Sequence, residues 1–349
     1  MKMTFRWFGE CNDSVCLADI KQIPGVNGVV WALHDMPAGA VWPVEKIKKV
    51  QQQAVSWGFN IDVVESVNVH ESIKMGAPGR DEYIDNYIKT VNRLGQVDVK
   101  VICYNFMPVF DWVRTELFHE QEGGSTALYF NKETMETITP QALVELVTSK
   151  SEYTVAGWEP DRLKELNKAI EAYRTISEDD LFDNLKYFLK AIGPACKANN
   201  IKMAIHPDDP PWSIFGLPRI VTRKENLKRL IQLVDEPFNG LTLCSGSLGS
   251  SPDNDVVDIM KTFMDRIYFG HVRNIKLYDN GDFVETSHRS CDGSLDIIGI
   301  MKAYKDANFN YYIRPDHGRH LWNEDCRPGY GLYDRALGIM YLHGIWDAL

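Results

Sequence analysis

Four segments in the second half of the chain each close an apolar run with a side chain able to bind a transition metal. They are AIHPDDPPW with His206, LTLCSGSLG with Cys244, YFGHVRNIK with His271 and YIRPDHGRH with Asp316. Taken singly, each has a simpler explanation. A cysteine ending a strand is commonly a small buried hydrophobe, a lone histidine a hydrogen-bonded structural residue, and an aspartate a helix cap. Four successive runs ending this way argue for a common purpose. Two imidazoles, one thiolate and one carboxylate suit Fe(II), Mn(II), Co(II) or Zn(II) rather than the oxygen-seeking Ca²⁺ or Mg²⁺. With a doubly charged ion the set is formally neutral, so an anionic substrate can approach it. Arg273, Arg314 and Arg319 flank the same run ends, and a guanidinium grips a carboxylate through two parallel hydrogen bonds; surface or barrel-end ion pairs are their alternative use. His317 adjoins Asp316, and an imidazole with an unperturbed pKa of about 6.5 can take or give a proton near neutrality. Asn105, Asp208, Asp209, His34 and Tyr333 also lie just beyond run ends, where they could meet a polyol. Trp7, Trp31, Trp112 and Trp212 are expected to pack.

Residues so far apart can meet only if the elements carrying them converge. Eight short apolar runs are spaced along the chain: Thr4–Phe8, Gly28–Leu33, Asn60–Val64, Val99–Tyr104, Lys202–His206, Leu241–Cys244, Ile267–Val272 and Tyr311–Arg314. Several are nearly all apolar, as strands buried on both faces must be. Amphipathic stretches separate most of them. Pro43 opens one helix, whose stripe is Ile47, Val50 and Ala54 and which Gly58 can stop. Ser177 with Asp180, and Thr222 with Glu225, have capping-box spacing. Ser251-Pro252 opens a further helix, and Asp334 to Leu349 reads as the closing one. Eight strands alternating with helices predict a (β/α)₈ barrel, in which all strand carboxyl ends share one rim. A doubly wound open sheet is the alternative, weakened by the lack of GxGxxG after the first strand. One connection is long: about seventy residues separate the fourth run from Ser177, and connections of that size are usually functional or partner surfaces. Its helical patterns, around Leu143–Leu146 and Leu163–Ile170, predict a helical insertion over 113–176, with Gly123-Gly124-Ser125 as a mobile tip. It serves either as a cap over the catalytic face or as an oligomer contact.

The 349 residues, 44% of them hydrophobic and 25% charged, fit a single barrel domain over 1–349 with no disordered tract. A net charge of −10 excludes a non-specific nucleic-acid binder. Seven scattered cysteines without a CxxC pair are not a disulfide framework. With no apolar run long enough for a membrane span or secretory signal, the expectation is a cytoplasmic protein.

The segments IHPDDPP, LCSGSLG, GHVRNIK and IRPDHGRH, with the opening FRWFG and with VESVNVHESIK, resemble the mannonate dehydratase family over essentially the whole chain. The resemblance implies a xylose-isomerase-like barrel and a homo-oligomer, dimer or tetramer, with one Mn²⁺ or Fe²⁺ per chain held by His206, Cys244, His271 and Asp316. It implies conversion of D-mannonate to 2-dehydro-3-deoxy-D-gluconate and water, with His317 and Tyr333 near the substrate. Removing the C2 proton leaves negative charge on the adjoining carboxylate, which a cation stabilises more than it does the ground state. A base must take that proton and an acid must protonate the departing C3 hydroxyl. His317 and Tyr333 are expected to share these duties, in an order the sequence leaves open, while Arg273 and Arg314 hold the carboxylate.

Two rivals stand beside this reading. A metal-dependent aldose–ketose isomerase would share the barrel and the ligands but act on neutral sugars, against which the three rim arginines argue. A non-enzymatic protein with a closed structural zinc site is the other. Such sites lean on cysteine and often cluster in sequence, whereas here a single cysteine joins three widely spread ligands.

Overall fold

The computed structural model describes residues 1–10, 12–148 and 166–349. Its first four strands are β1 (Lys2–Arg6), β2 (Gly28–Trp31), β3 (Asn60–Glu65) and β4 (Val101–Tyr104). Two follow in the long connection, β5 (Glu116–Glu120) and β6 (Thr126–Phe130). The remainder are β7 (Lys202–Ile205), β8 (Asn239–Cys244), β9 (Ile267–Val272), β10 (Ile275–Leu277), β11 (Phe283–Glu285) and β12 (Tyr312–Pro315). Strands β1, β2, β3, β4, β7, β8, β9 and β12 close into a parallel barrel, with β12 returning to pair with β1. All eight runs read from the sequence are these strands, with ends shifted by a few residues.

The alternation along the barrel strands decides where everything else lies. Val30, Val63, Val101, Cys103, Ala204, Phe269 and Tyr312 form one buried cluster that fills the barrel. Their strand neighbours Val29, Trp31, Val64, Ile102, Met203, Ile205 and Ile313 belong to the larger cluster beneath the surrounding helices. Side chains of a strand switch faces at every residue. Counting two residues onward from the barrel core therefore reaches Glu65, Asn105, His206 and His271. The same parity holds Arg6 on β1, His34 beyond β2, Cys244 on β8, Arg314 on β12 and Asp316 just beyond it. One inward-facing layer at the carboxyl rim thus holds most of the chemistry.

Helices cover the outside for the reasons visible in their sequences. The helix Glu178–Ala198 buries Leu181, Phe182, Leu185, Phe188, Leu189 and Ile192. Its capping box is formed: Asp180 N donates to Ser177 Oγ at 3.1 Å, and Ser177 N to Asp180 Oδ2 at 2.9 Å. Two other expected starts differ. The helix after β7 begins at Lys224 with Arg223 at its N-cap position and no side-chain cap, while Thr222 Oγ1 accepts from Asn226 Nδ2 at 3.1 Å. After β8 a short helix, Ser245–Gly249, comes first; the next begins at Val256, where Asp255 rather than Ser251 accepts from Asp258 N. The closing helix runs Leu332–Ala348.

The 113–176 segment is not purely helical, which corrects the expectation for it. It opens with the hairpin β5–β6, turning at Gly123 and Gly124 with φ of +96° and +85°. Helices at Lys132–Thr137, Pro140–Thr148 and Leu166–Tyr173 follow; Leu163, where one helical pattern was read, lies outside the described residues. Strand β6 pairs with β11, giving a second sheet in the order β10-β11-β6-β5. These strands are only three to five residues long, too short for an apolar run to announce them. Their signals were the turns, Gly123-Gly124 and Asn280-Gly281.

Replacing Ser177 by Ala removes a cap and is expected to lower unfolding stability by about 1 kcal/mol, measured by urea titration, with turnover unchanged. Leu185→Ala, deep under the same helix, is expected to cost about 2–5 kcal/mol.

Candidate metal centre and active site

His206, Cys244, His271 and Asp316 each offer one ligand atom, and these atoms all lie within 4.8 Å of one another. His206 Nε2 faces His271 Nδ1 at 3.2 Å, and Cys244 Sγ lies 3.4 Å from Asp316 Oδ2. The donor set fits a divalent ion on its surroundings as well as its composition. His206 Nδ1 donates to Pro207 O at 2.7 Å, which fixes the tautomer and turns the Nε2 lone pair toward the other three. The far nitrogen of His271, Nε2, lies 3.5 Å from Glu65 Oε2, a carboxylate placed to orient it. Ser247 Oγ donates to Cys244 Sγ at 3.0 Å. Burial alone would raise the Asp316 carboxyl, but Arg314 and neighbouring cationic groups hold it well below the usual range, so it is an anionic oxygen donor at neutral pH.

The segment LCSGSLG builds one wall residue by residue. Cys244 ends β8, and Ser245 Oγ accepts from Arg273 N at 2.9 Å while donating to Arg273 O at 2.6 Å. Gly246 leaves the space through which the Arg273 side chain passes; a Cβ there would lie 2.1 Å from Arg273 Nε. Ser247 accepts from Arg273 Nη2 at 3.2 Å.

Arg273 and Arg314 correct the sequence expectation of a substrate grip. Arg273 donates to Asp209 Oδ2 at 2.6 Å and to Glu285 Oε1 at 2.8 Å. Arg114, also fully buried, donates to the same two carboxylates at 2.8 and 2.9 Å. Arg314 holds Glu65 at 2.9 Å and Asp316 at 2.8 Å. Against the cost of burial, these guanidinium groups keep Asp209, Glu285 and Glu65 ionised below the usual carboxylate range. Both arginines therefore spend their donors inside the protein. Arg319 pairs with Asp334 at 2.7 Å, and Asp208 accepts from Arg219 at 3.2 Å and Val221 N at 2.8 Å; neither lines the cavity described next.

A cavity of about 760 Å³ opens over the rim. His206, Asp316, His317, Glu65, Asp209 and Asn105 line it, as do Arg6, His34 and Trp112. Asn105 is thus where the sequence expected it, and Trp112 is more than packing: its ring meets His317 edge-on at 5.6 Å. Lys168, Ala169 and Ala172 of the insertion form part of the wall, and Tyr173 Oη donates to Glu71 Oε2 at 2.5 Å.

His317 is held from both sides. Its Nδ1 edge lies 3.3 Å from Glu285 Oε1 and against Arg273 Nη1, and its Nε2 edge lies 3.1 Å from Tyr330 Oη. Tyr333 is elsewhere. It is 41% exposed, stacks edge-on with Trp322 and does not line the cavity. Tyr330 occupies the position expected of it. The turn before the last helix separates them: Gly329, at φ +78°, donates its N–H to His320 Nε2 at 2.8 Å and swings Tyr330 inward. Burial first, and Asp316 next, push the Tyr330 phenol above its ordinary pKa, so it keeps its proton at neutral pH. Arg6, Glu65, Arg114, Glu285 and Tyr330 are site residues that sequence reasoning missed. For Arg6 a signal existed, since it shares the inward parity of the ligands.

The D-mannonate dehydratase (UxuA) family model matches residues 1–349. Mannonate dehydratase 1 of Halalkalibacterium halodurans is 60% identical over 349 residues, covering all of this chain and 97% of that protein. Among solved structures, the mannonate dehydratase of Streptococcus suis serotype 2 superposes with a TM-score of 0.91 at 43% identity, covering all of this chain and 94% of that one. A xylose isomerase-like TIM barrel protein from Mycobacterium smegmatis, at a TM-score of 0.51 and 11% identity over 96% of this chain and 90% of that one, shares the fold alone. With its full length matched by the family and by relatives of this identity, the chain belongs to the D-mannonate dehydratase family.

Proposed function

We propose that the protein dehydrates D-mannonate to 2-dehydro-3-deoxy-D-gluconate, with His317 and Tyr330 moving the protons. The observation that carries this reading is the His317–Tyr330 pair, 3.1 Å apart in the cavity that His206 and Asp316 of the four-donor cluster also line. Mn²⁺ or Fe²⁺ is the ion proposed for His206, Cys244, His271 and Asp316. Bound there, it would supply the Lewis acidity that stabilises charge gathering on the substrate carboxylate.

The side chains divide the remaining work. Glu285 can accept a proton held on His317 Nδ1, which leaves Nε2 free to take the C2 proton. The electron pair of the broken C2–H bond then forms the C2–C3 double bond as the C3–O bond breaks. Tyr330, kept protonated by burial, donates to the leaving C3 hydroxyl, which departs as water. The resulting enol reprotonates at C3 to give the 2-keto acid. Arg114 and Arg273 hold Glu285 and Asp209 in register beneath these groups. The insertion helix Leu166–Tyr173, already part of the wall, supports reading 113–176 as a cap that limits water. No helix among the described residues is long and apolar enough to cross a membrane; cytoplasmic residence and a homo-oligomer remain part of the proposal.

Turnover of D-mannonate is read by periodate–thiobarbiturate detection of the 2-keto-3-deoxy acid, beside an isomerase assay on neutral sugars. Isomerase activity without dehydration would refute the assignment. A positioned acid or base contributes about 10²–10⁴-fold, so His317→Asn and Tyr330→Phe are each expected to lose at least a hundredfold in kcat with metal retained. Tyr333→Phe should stay within about threefold, as a surface side chain outside the cavity would. Equal losses at Tyr330 and Tyr333 would remove the distinction drawn between them.

Chelation is expected to give a folded, inactive apoprotein that Mn²⁺ or Fe²⁺ restores. Loss of far-ultraviolet circular dichroism on chelation would instead mark a structural ion.

A further inference from the structure

Among the rim cations, Arg6 differs from the others. Arg114, Arg273, Arg314 and Arg319 all have carboxylate partners within 2.9 Å. Arg6 projects from the end of β1 into the inward layer, is only 5% exposed and lines the cavity. No described carboxylate pairs with it, and its Nη1 is sealed from solvent without a hydrogen-bond partner. The Phe8 ring lies 4.7 Å from the guanidinium carbon, and Glu65, the carboxylate that most favours its charge, has both oxygens bound to Arg314 at 3.2 and 2.9 Å. Beside the same ring, at 5.2 Å, is His34, whose Nε2 is likewise buried, unpartnered and in the cavity wall.

A guanidinium removed from water without a hydrogen-bonded counter-ion of its own is costly to the fold, and a well-packed barrel keeps one where something else completes it. What would complete it is an anion with oxygens in one plane, because a carboxylate satisfies two guanidinium N–H groups at once. A neutral hydroxyl would meet the hydrogen bond but not the charge. The cavity runs from Arg6 to His206, Asp316, His317 and Tyr330, so an anion on Arg6 belongs to a molecule that also reaches the proton-moving pair.

We infer that Arg6 is the residue that takes the carboxylate of the sugar-acid substrate, in place of Arg273 and Arg314, and that His34 Nε2 meets a hydroxyl of the same molecule. Arg6 is a specificity residue: it selects an aldonic acid over its neutral analogue. This rests on the dehydratase reading and names the group that recognises the substrate class.

The test uses the metal-loaded enzyme with Arg6→Met and Arg6→Lys, following kcat and KM for D-mannonate and competitive inhibition by D-mannonamide, the neutral isostere. Losing a charge-assisted pair is expected to raise KM for D-mannonate about 10- to 100-fold in Arg6→Met. Inhibition by the amide should move less than about threefold, and Arg6→Lys should fall between Arg6→Met and wild type. Thermal melting of Arg6→Met should match or exceed wild type, because a buried charge without a hydrogen-bonded counter-ion is gone. Three results would overturn the inference: KM within about threefold of wild type, equal losses for acid and amide, or a melting temperature well below wild type, which would show the guanidinium serving the fold. Failure of the wild-type enzyme to convert D-mannonate would sink the functional reading instead, whereas wild-type turnover with an indifferent Arg6→Met sinks this inference alone.

Discussion

The guanidinium of Arg273 is the junction on which the rim depends. It reaches Asp209, Glu285, Ser247 and His317, and its Nε lies 3.5 Å from the ligand Asp316. One planar cation thereby couples the four-donor cluster, His317 and the second sheet, which contributes Glu285. Breaking a buried pair costs about 3–5 kcal/mol, so the charges around Arg273 hold one another in place. Arg114 completes the balance by sharing both carboxylates with Arg273. The geometry is possible because Gly246 has no side chain where the Arg273 stem passes.

The barrel was legible because its strands are buried on both faces and so write themselves as apolar runs. The cluster was legible because each run ends in a side chain that has no place in a hydrophobic core. Strands β5, β6, β10 and β11 were not, being only three to five residues long, and Gly123-Gly124, read as the tip of a helical insertion, is the turn between β5 and β6. The exchange of Tyr330 for Tyr333 is a matter of three residues and one turn. A positive φ at Gly329 and its hydrogen bond to His320 decide which ring points inward, and neither is written in the residue types around them.

The arginines carry a sharper lesson. In the sequence, Arg273, Arg314 and Arg319 near the strand ends argue against an isomerase of neutral sugars. Each is neutralised by a carboxylate of the protein itself, so that argument lapses. Whether a cation is available depends on the partner that folding brings to it, and Asp209 and Glu65 come from distant parts of the chain. The full-length family match, not the charge count, is what separates the two chemistries.

The pairing of β6 with β11 joins the connection leaving β4 to the one leaving β9. These flank β7 and β8 in the barrel order, so the joint spans the two strands that deliver His206 and Cys244. Chain can be added at the outer turn, where Gly123 and Gly124 have no atom within 4 Å of a would-be Cβ, without disturbing that joint. The same length inserted between Phe130 and Asn131, at the pairing itself, would unfasten Glu285 from the histidine it steadies. Evolutionary or engineered variation in this clasp is therefore channelled to its tip.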